Sequence, residues 1–107
     1  MAEESKFEKH LIKLLKQLYP GCIIMKNDAN RLQGIPDRLI LYNNHWAAFE
    51  VKASKNATKR PNQDFYVQKL GKMSYAAFVY PENEEEFLDE LQQALRPRRK
   101  TRLPGSK

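Results

Sequence analysis

Residues 35–53 read IPDRLILYNNHWAAFEVKA. Ile35 to Tyr42 and His45 to Ala53 are rich in β-formers, and Asn43-Asn44 between them tolerates the left-handed backbone of a tight hairpin. With these two asparagines as the loop, Tyr42 pairs with His45, and the numbers of every opposed pair sum to 87. A centred four-residue loop keeps the same register. Asp37 then lies opposite Glu50, with Cβ atoms about 4.5–5.5 Å apart on one face. Period-two alternation adds Lys52 to that face and turns Phe49 and Val51 to the other. Two carboxylates and an ammonium therefore converge. Like charges this close raise a carboxyl pKa unless a cation lies between them, and the cation that suits oxygen donors is a hard divalent metal. Asp37 taken alone reads as turn chemistry after Pro36, with Glu50 and Lys52 facing water on an exposed strand. The opposed acids with a Lys two residues on favour a site.

The flanking sequence supplies the rest of the domain. Residues 4–19 have the spacing of an amphipathic helix, with Phe7, Leu11, Leu14, Leu15 and Leu18 on one arc and a stop at Pro20-Gly21. Cys22 to Met25 reads as a strand, followed by a polar loop through Gly34. After a polar, basic connection from Ser54 to Arg60, Pro61 is placed to open a helix at its first position, which Phe65, Tyr66, Val67 and Leu70 continue to Gly71. Tyr75 to Tyr80 reads as a fourth strand ended by Pro81. Asn83 and Glu86 form a capping pattern for a last helix bearing Phe87, Leu88, Leu91 and Leu95. No internal repeat is visible. The order αβββαβα predicts a single α/β domain over residues 1–95, a small mixed β-sheet flanked by helices. Residues 96–107 read as a basic, disordered tail.

Composition narrows the class. The chain has 107 residues and one cysteine, so no intramolecular disulfide is possible, and a reducing cytoplasm is expected. Cys22, His10 and His45 are too few and scattered for a zinc site. No apolar run approaches the length of a membrane span, and the acidic start does not read as a secretory signal. The formal charge of +6 resides in the tail: residues 1–95 hold 13 basic and 13 acidic residues, whereas residues 96–107 hold six basic residues and no acid. Within the neutral body, residues 9–72 carry 12 basic and 4 acidic residues, while residues 73–95 carry six acids and no base. The basic middle suits a polyanionic partner. For any one lysine the commoner role is a solvated surface charge.

In the first helix, winding at about 100° per residue sets Lys6, Lys9, Lys13 and Lys16 opposite the apolar arc, with Glu8 inside it. Glu8 has two readings. A carboxylate aimed toward the core needs a partner, which a metal site would supply; equally, an acid in the first helical turns is tolerated by the helix dipole.

Gly34-Ile35-Pro36-Asp37, followed after a hairpin by Glu50-Val51-Lys52, resembles the PD-(D/E)xK nuclease signature. The Gly-x-Pro-Asp form with a Gln-bearing helix after the Lys is similar in particular to the minimal VRR-Nuc (virus-type replication-repair nuclease) domain. The likeness covers Phe7 to Phe87 by order of elements as well as by motif. It implies a restriction-endonuclease-like core in which Asp37, Glu50 and the Val51 main-chain carbonyl bind Mg²⁺ or Mn²⁺. Lys52 would be catalytic, orienting or activating the attacking water, and Glu8 would be the accessory acid at the metal. The family's Gln falls on Gln63, which fits the helix start, or on the weaker match Gln68; either also reads as a surface polar residue.

The expected activity is metal-dependent endonucleolytic hydrolysis of branched or structured DNA such as a Holliday junction. Lys26, Arg31, Arg38, Lys55, Lys59 and Arg60 are candidates for sequence-independent phosphate contacts. The alternatives are a nonspecific nicking or repair nuclease and a noncatalytic nucleic-acid-binding module on the same fold. The family's resolvase-like members and the small size imply a homodimer, and a standalone core suggests a phage protein working in the host cytoplasm. Trp46 shares Glu50's face and either stacks on a base or, more commonly, packs under a helix. Cys22 reads as a small core residue, and neither histidine is placed as a general base.

Overall fold

The computed structural model describes residues 2–28 and 30–97; the rest of the basic tail, residues 98–107, lies outside them. The elements are α1 (Ala2–Leu18), β1 (Ile23–Lys26), β2 (Arg38–Tyr42), β3 (His45–Val51), α2 (Gln63–Met73), β4 (Tyr75–Val79), a 3₁₀ turn (Pro81–Asn83) and α3 (Glu84–Leu95). This is the expected α/β order. One four-stranded mixed sheet runs β1-β2-β3-β4. β1, β2 and β3 form an antiparallel meander, and α2 carries the chain across to a β4 parallel to β3.

The hairpin has the register read from the sequence, from Tyr42↔His45 to Arg38↔Phe49. Asn43 takes the left-handed conformation with φ 55, which asparagine tolerates better than other side chains. Ala47, Phe49 and Val51 of β3 join Ile40 on one sheet face. There they pack with Leu11, Leu15 and Tyr19 from α1 and with Phe87, Leu91 and Leu95 from α3. No residue of α2 belongs to this cluster. α2 instead meets Lys52, which alternation assigns to the opposite face, through its first residue Gln63.

Several boundaries differ from the sequence expectation. β2 begins at Arg38 rather than Ile35, because Pro36, opposite Val51 in this register, has no N–H to extend the ladder. β3 ends at Val51, two residues before Ala53. α2 starts at Gln63 rather than Pro61, since Asn62 has φ 71 and interrupts helical geometry between them. The Asn83 side chain does not cap α3. It accepts the Tyr80 N–H and donates to the Phe78 carbonyl, which folds the chain from β4 into the 3₁₀ turn. Cys22 precedes β1 and packs against the core from its border. Arg96, assigned to the tail by composition, donates to the Tyr42 hydroxyl and lies over the rings of Tyr19 and Tyr42. Among the described residues, no helix is long and apolar enough to cross a membrane.

Candidate functional site

Two backbone anchors set Asp37. The Asn27 N–H donates to the Asp37 carbonyl at 2.8 Å and its Nδ2 to the Pro36 carbonyl at 2.8 Å. The loop before β2 is also pinned from the other side. Gly34 has φ +94, and a Cβ there would lie 2.5–2.7 Å from Asn62, including its backbone carbonyl. Glycine is required at this approach, which seats the Gly34–Asp37 segment on the start of α2. Across from it, Glu50 Oε1 accepts the Asp37 N–H at 3.0 Å. The opposition of Asp37 and Glu50 read from the hairpin arithmetic is thus present as a direct contact.

The two acids line one cleft of about 750 Å³ together with Lys52, Gln63, Lys26 and Arg60. Burial, then the nearby Asp37 charge, push the Glu50 carboxyl up to about 7, against the lowering effects of the Asp37 N–H and of Lys52. The Asp37 carboxyl is raised too, by burial first and by Glu8 next. Its Oδ1 is buried without a hydrogen-bond partner. A pair of half-buried acids with an unsatisfied oxygen is a donor set that attracts a cation.

Lys52 is only 8% exposed. Its Nζ donates to the Thr58 carbonyl at 3.1 Å and to Gln63 Oε1 at 2.9 Å, which leaves one of its three N–H groups for the cleft. Gln63, itself 5% exposed, accepts the Arg60 N–H on the same Oε1 at 2.8 Å. One amide oxygen therefore ties Lys52 to the loop that precedes α2. The length of the 54–60 connection follows from this: it must fold back to bring the Thr58 carbonyl over Lys52.

Val51 buries its side chain in the core. The Lys52 N–H points to the Val79 carbonyl of β4 at 2.9 Å. In a trans peptide the preceding carbonyl points the opposite way, so that of Val51 faces the β2 side, where Pro36 offers no donor.

Other expected residues lie elsewhere. Glu8 does not line the cleft; its Oε2 accepts Arg38 Nε at 2.6 Å on the α1 face of the sheet. Glu4, one turn earlier, lines it instead. Lys59 pairs with Asp64 and sits 4.4 Å over the Phe78 ring. Arg31 and Lys55 are exposed but do not line the cleft, and the Lys55 N–H donates to Glu82. Gln68 is exposed further along α2. The functional positions missed from sequence are Glu4, Asn27, Thr58 and Asn62. The i, i+4 spacing puts Glu4 on the helix face of Glu8 without saying which of the two reaches the cleft. Thr58 acts through its main chain and left no signal.

The donor set suits a hard ion. Among the described residues, no group of three or more His, Cys, Asp or Glu side chains is arranged to enclose a metal. Mg²⁺ does not require one, since it keeps several waters and is commonly held by one or two carboxylates. Comparison with models of protein families, with curated proteins and with solved structures finds no match.

Proposed function

We propose that this chain is a Mg²⁺- or Mn²⁺-dependent DNA endonuclease that hydrolyses phosphodiester bonds, with branched or otherwise structured DNA as its preferred substrate. The observation that carries this reading is the convergence of Asp37, Glu50 and the held ammonium of Lys52 in one cleft. A module that only binds a polyanion gains nothing from two opposed carboxylates facing it. The Gly34–Asp37 and Glu50–Lys52 resemblance to PD-(D/E)xK nucleases supports the same reaction.

Asp37, Glu50 and the Val51 carbonyl are the residues that would hold the metal. When bound, it supplies Lewis acidity toward a phosphoryl oxygen and toward water. Lys52 presents a fixed positive charge where negative charge develops on the phosphoryl group, and needs no reorganisation because Thr58 and Gln63 already hold it. Gln63 is a positioning residue. Lys26 and Arg60 at the cleft wall suit the flanking phosphates. Selectivity for such a substrate would come from DNA shape or from a partner. A homodimer would place two such clefts on two strands; equilibrium sedimentation with and without junction DNA tests it, and monomer alone at high concentration removes it.

The deciding experiment is cleavage of a labelled four-way junction and its matched linear duplex under Mg²⁺ and Mn²⁺, with Asp37→Ala and Lys52→Ala beside the wild type. Metal-dependent cutting lost in both variants is expected, with the junction cut faster. Equal rates on both substrates would make it a general nuclease. Binding without cutting under either metal would overturn the enzymatic reading.

A further inference from the structure

A second groove opens beside the first. It is lined by Lys9, Lys13 and Lys16 of α1 and by Glu8 and Arg38. Alternation sends Arg38 to the sheet face opposite Asp37, the α1 side. The two openings abut around the start of β2: Glu4 and Asp37 line one, Glu8 and Arg38 the other. Lys9, Lys13 and Lys16 recur at i, i+4 and i+7, so they form one stripe. They take part in none of the ion pairs among the described residues. The stripe runs about 10 Å along the helix, at a rise of about 1.5 Å per residue.

Glu8 has a specific place here. It holds Arg38 through Nε alone, so the two Nη groups of the guanidinium remain as donors. A guanidinium fixed at one edge with its other donors facing a lysine-lined groove is arranged for a phosphate.

We infer that the α1 groove is a phosphate-binding track that carries a DNA strand around the start of β2 toward the Asp37–Glu50 cleft, and that Glu8 positions Arg38 for this contact rather than holding a metal. This rests on the DNA reading proposed above. The assay is fluorescence anisotropy of a labelled four-way junction in Ca²⁺, at several salt concentrations. The triple variant Lys9→Ala, Lys13→Ala, Lys16→Ala is expected to lower affinity at least about tenfold and to reduce the slope of log K against log salt by roughly 2–3, from about 0.9 per phosphate contact. The matching triple Lys→Arg variant is expected to keep the slope. Glu8→Ala, which removes the acceptor of Arg38 Nε, is expected to weaken DNA binding while the Mn²⁺ dissociation constant, measured without DNA, shifts by no more than about threefold through the charge lost near Asp37.

Wild-type protein that binds no DNA would remove the parent reading. Wild-type binding with an unchanged slope in the alanine triple would remove only the track. Loss of the slope in the arginine triple would make the lysines structural. A loss of Mn²⁺ affinity of about tenfold or more in Glu8→Ala, beyond what a lost neighbouring charge accounts for, would return Glu8 to the metal site. Each of these last three outcomes overturns the inference.

Discussion

Glu50 is the residue whose chemistry is most changed by the fold. Its ordinary value is 4.5, and burial beside Asp37 brings it to about 7. Because the folded value lies above the unfolded one, this carboxyl contributes stability below about pH 4.5 that is lost as the pH rises through 7. Metal-free wild type and Glu50→Gln are therefore expected to melt together near pH 4 and to diverge by pH 8. There the variant should be the more stable by on the order of 5 °C in differential scanning fluorimetry, with no stabilisation by added Mn²⁺. Metal binding competes with the same proton. Mn²⁺ affinity of the wild type should rise by about tenfold between pH 6 and pH 8, as read by isothermal titration calorimetry. Gln63 offers a separate test of positioning. Gln63→Leu removes one of the two acceptors of Lys52, and a drop of roughly 10- to 100-fold in kcat with little change in KM is expected from steady-state cleavage. Equal loss in KM would mean that Gln63 binds DNA instead.

At the scale of elements, the site depends on one contact between a loop and a helix end. Gly34 lies against Asn62 so closely that a methyl group would penetrate its backbone. The positive φ of Gly34 adds strain for any other residue. Gly34→Ala is expected to cost roughly 2–3 kcal/mol, a strained backbone position accounting for about 1–3. Urea unfolding should show this as a lower midpoint with an unchanged slope. The substitution should also weaken Mn²⁺ binding, since Asp37 lies three residues on. The hairpin was legible because an antiparallel pair joined by a two-residue loop has a single arithmetic: once Asn43 and Asn44 are the loop, Asp37 and Glu50 must oppose each other. The start of α2 was not legible. Pro61 is a good first helical residue by its own φ preference, and only the approach of Gly34 makes Asn62 the turning point.

For the whole molecule, one core couples both outer helices to the sheet. Phe49 is fully buried and meets Phe87 edge-on at 5.4 Å between ring centres. Phe49→Ala is expected to cost about 3–5 kcal/mol, against a total of about 5–15 kcal/mol for a domain of this kind. Chemical denaturation should find the variant close to its unfolding threshold. The cost should exceed that of Gly34→Ala, because the lost ring joins α3 to the central strand. Glu50 is the next residue along β3, so the sheet that this core supports also carries the site.

What the sequence by itself determined are the features with local or periodic causes: the order of elements, the hairpin register and the opposition of Asp37 to Glu50 with Lys52 on their side. These follow from alternation along two strands joined by a short loop. Tertiary structure alone decided that Glu4 rather than Glu8 lines the cleft, that Glu8 instead grips Arg38, and that the Thr58 carbonyl and Gln63 hold Lys52. Those outcomes depend on how far α1 slides along the sheet and where the 54–60 loop folds back. Both are set by packing between segments distant in the chain, and no periodicity within either segment encodes it.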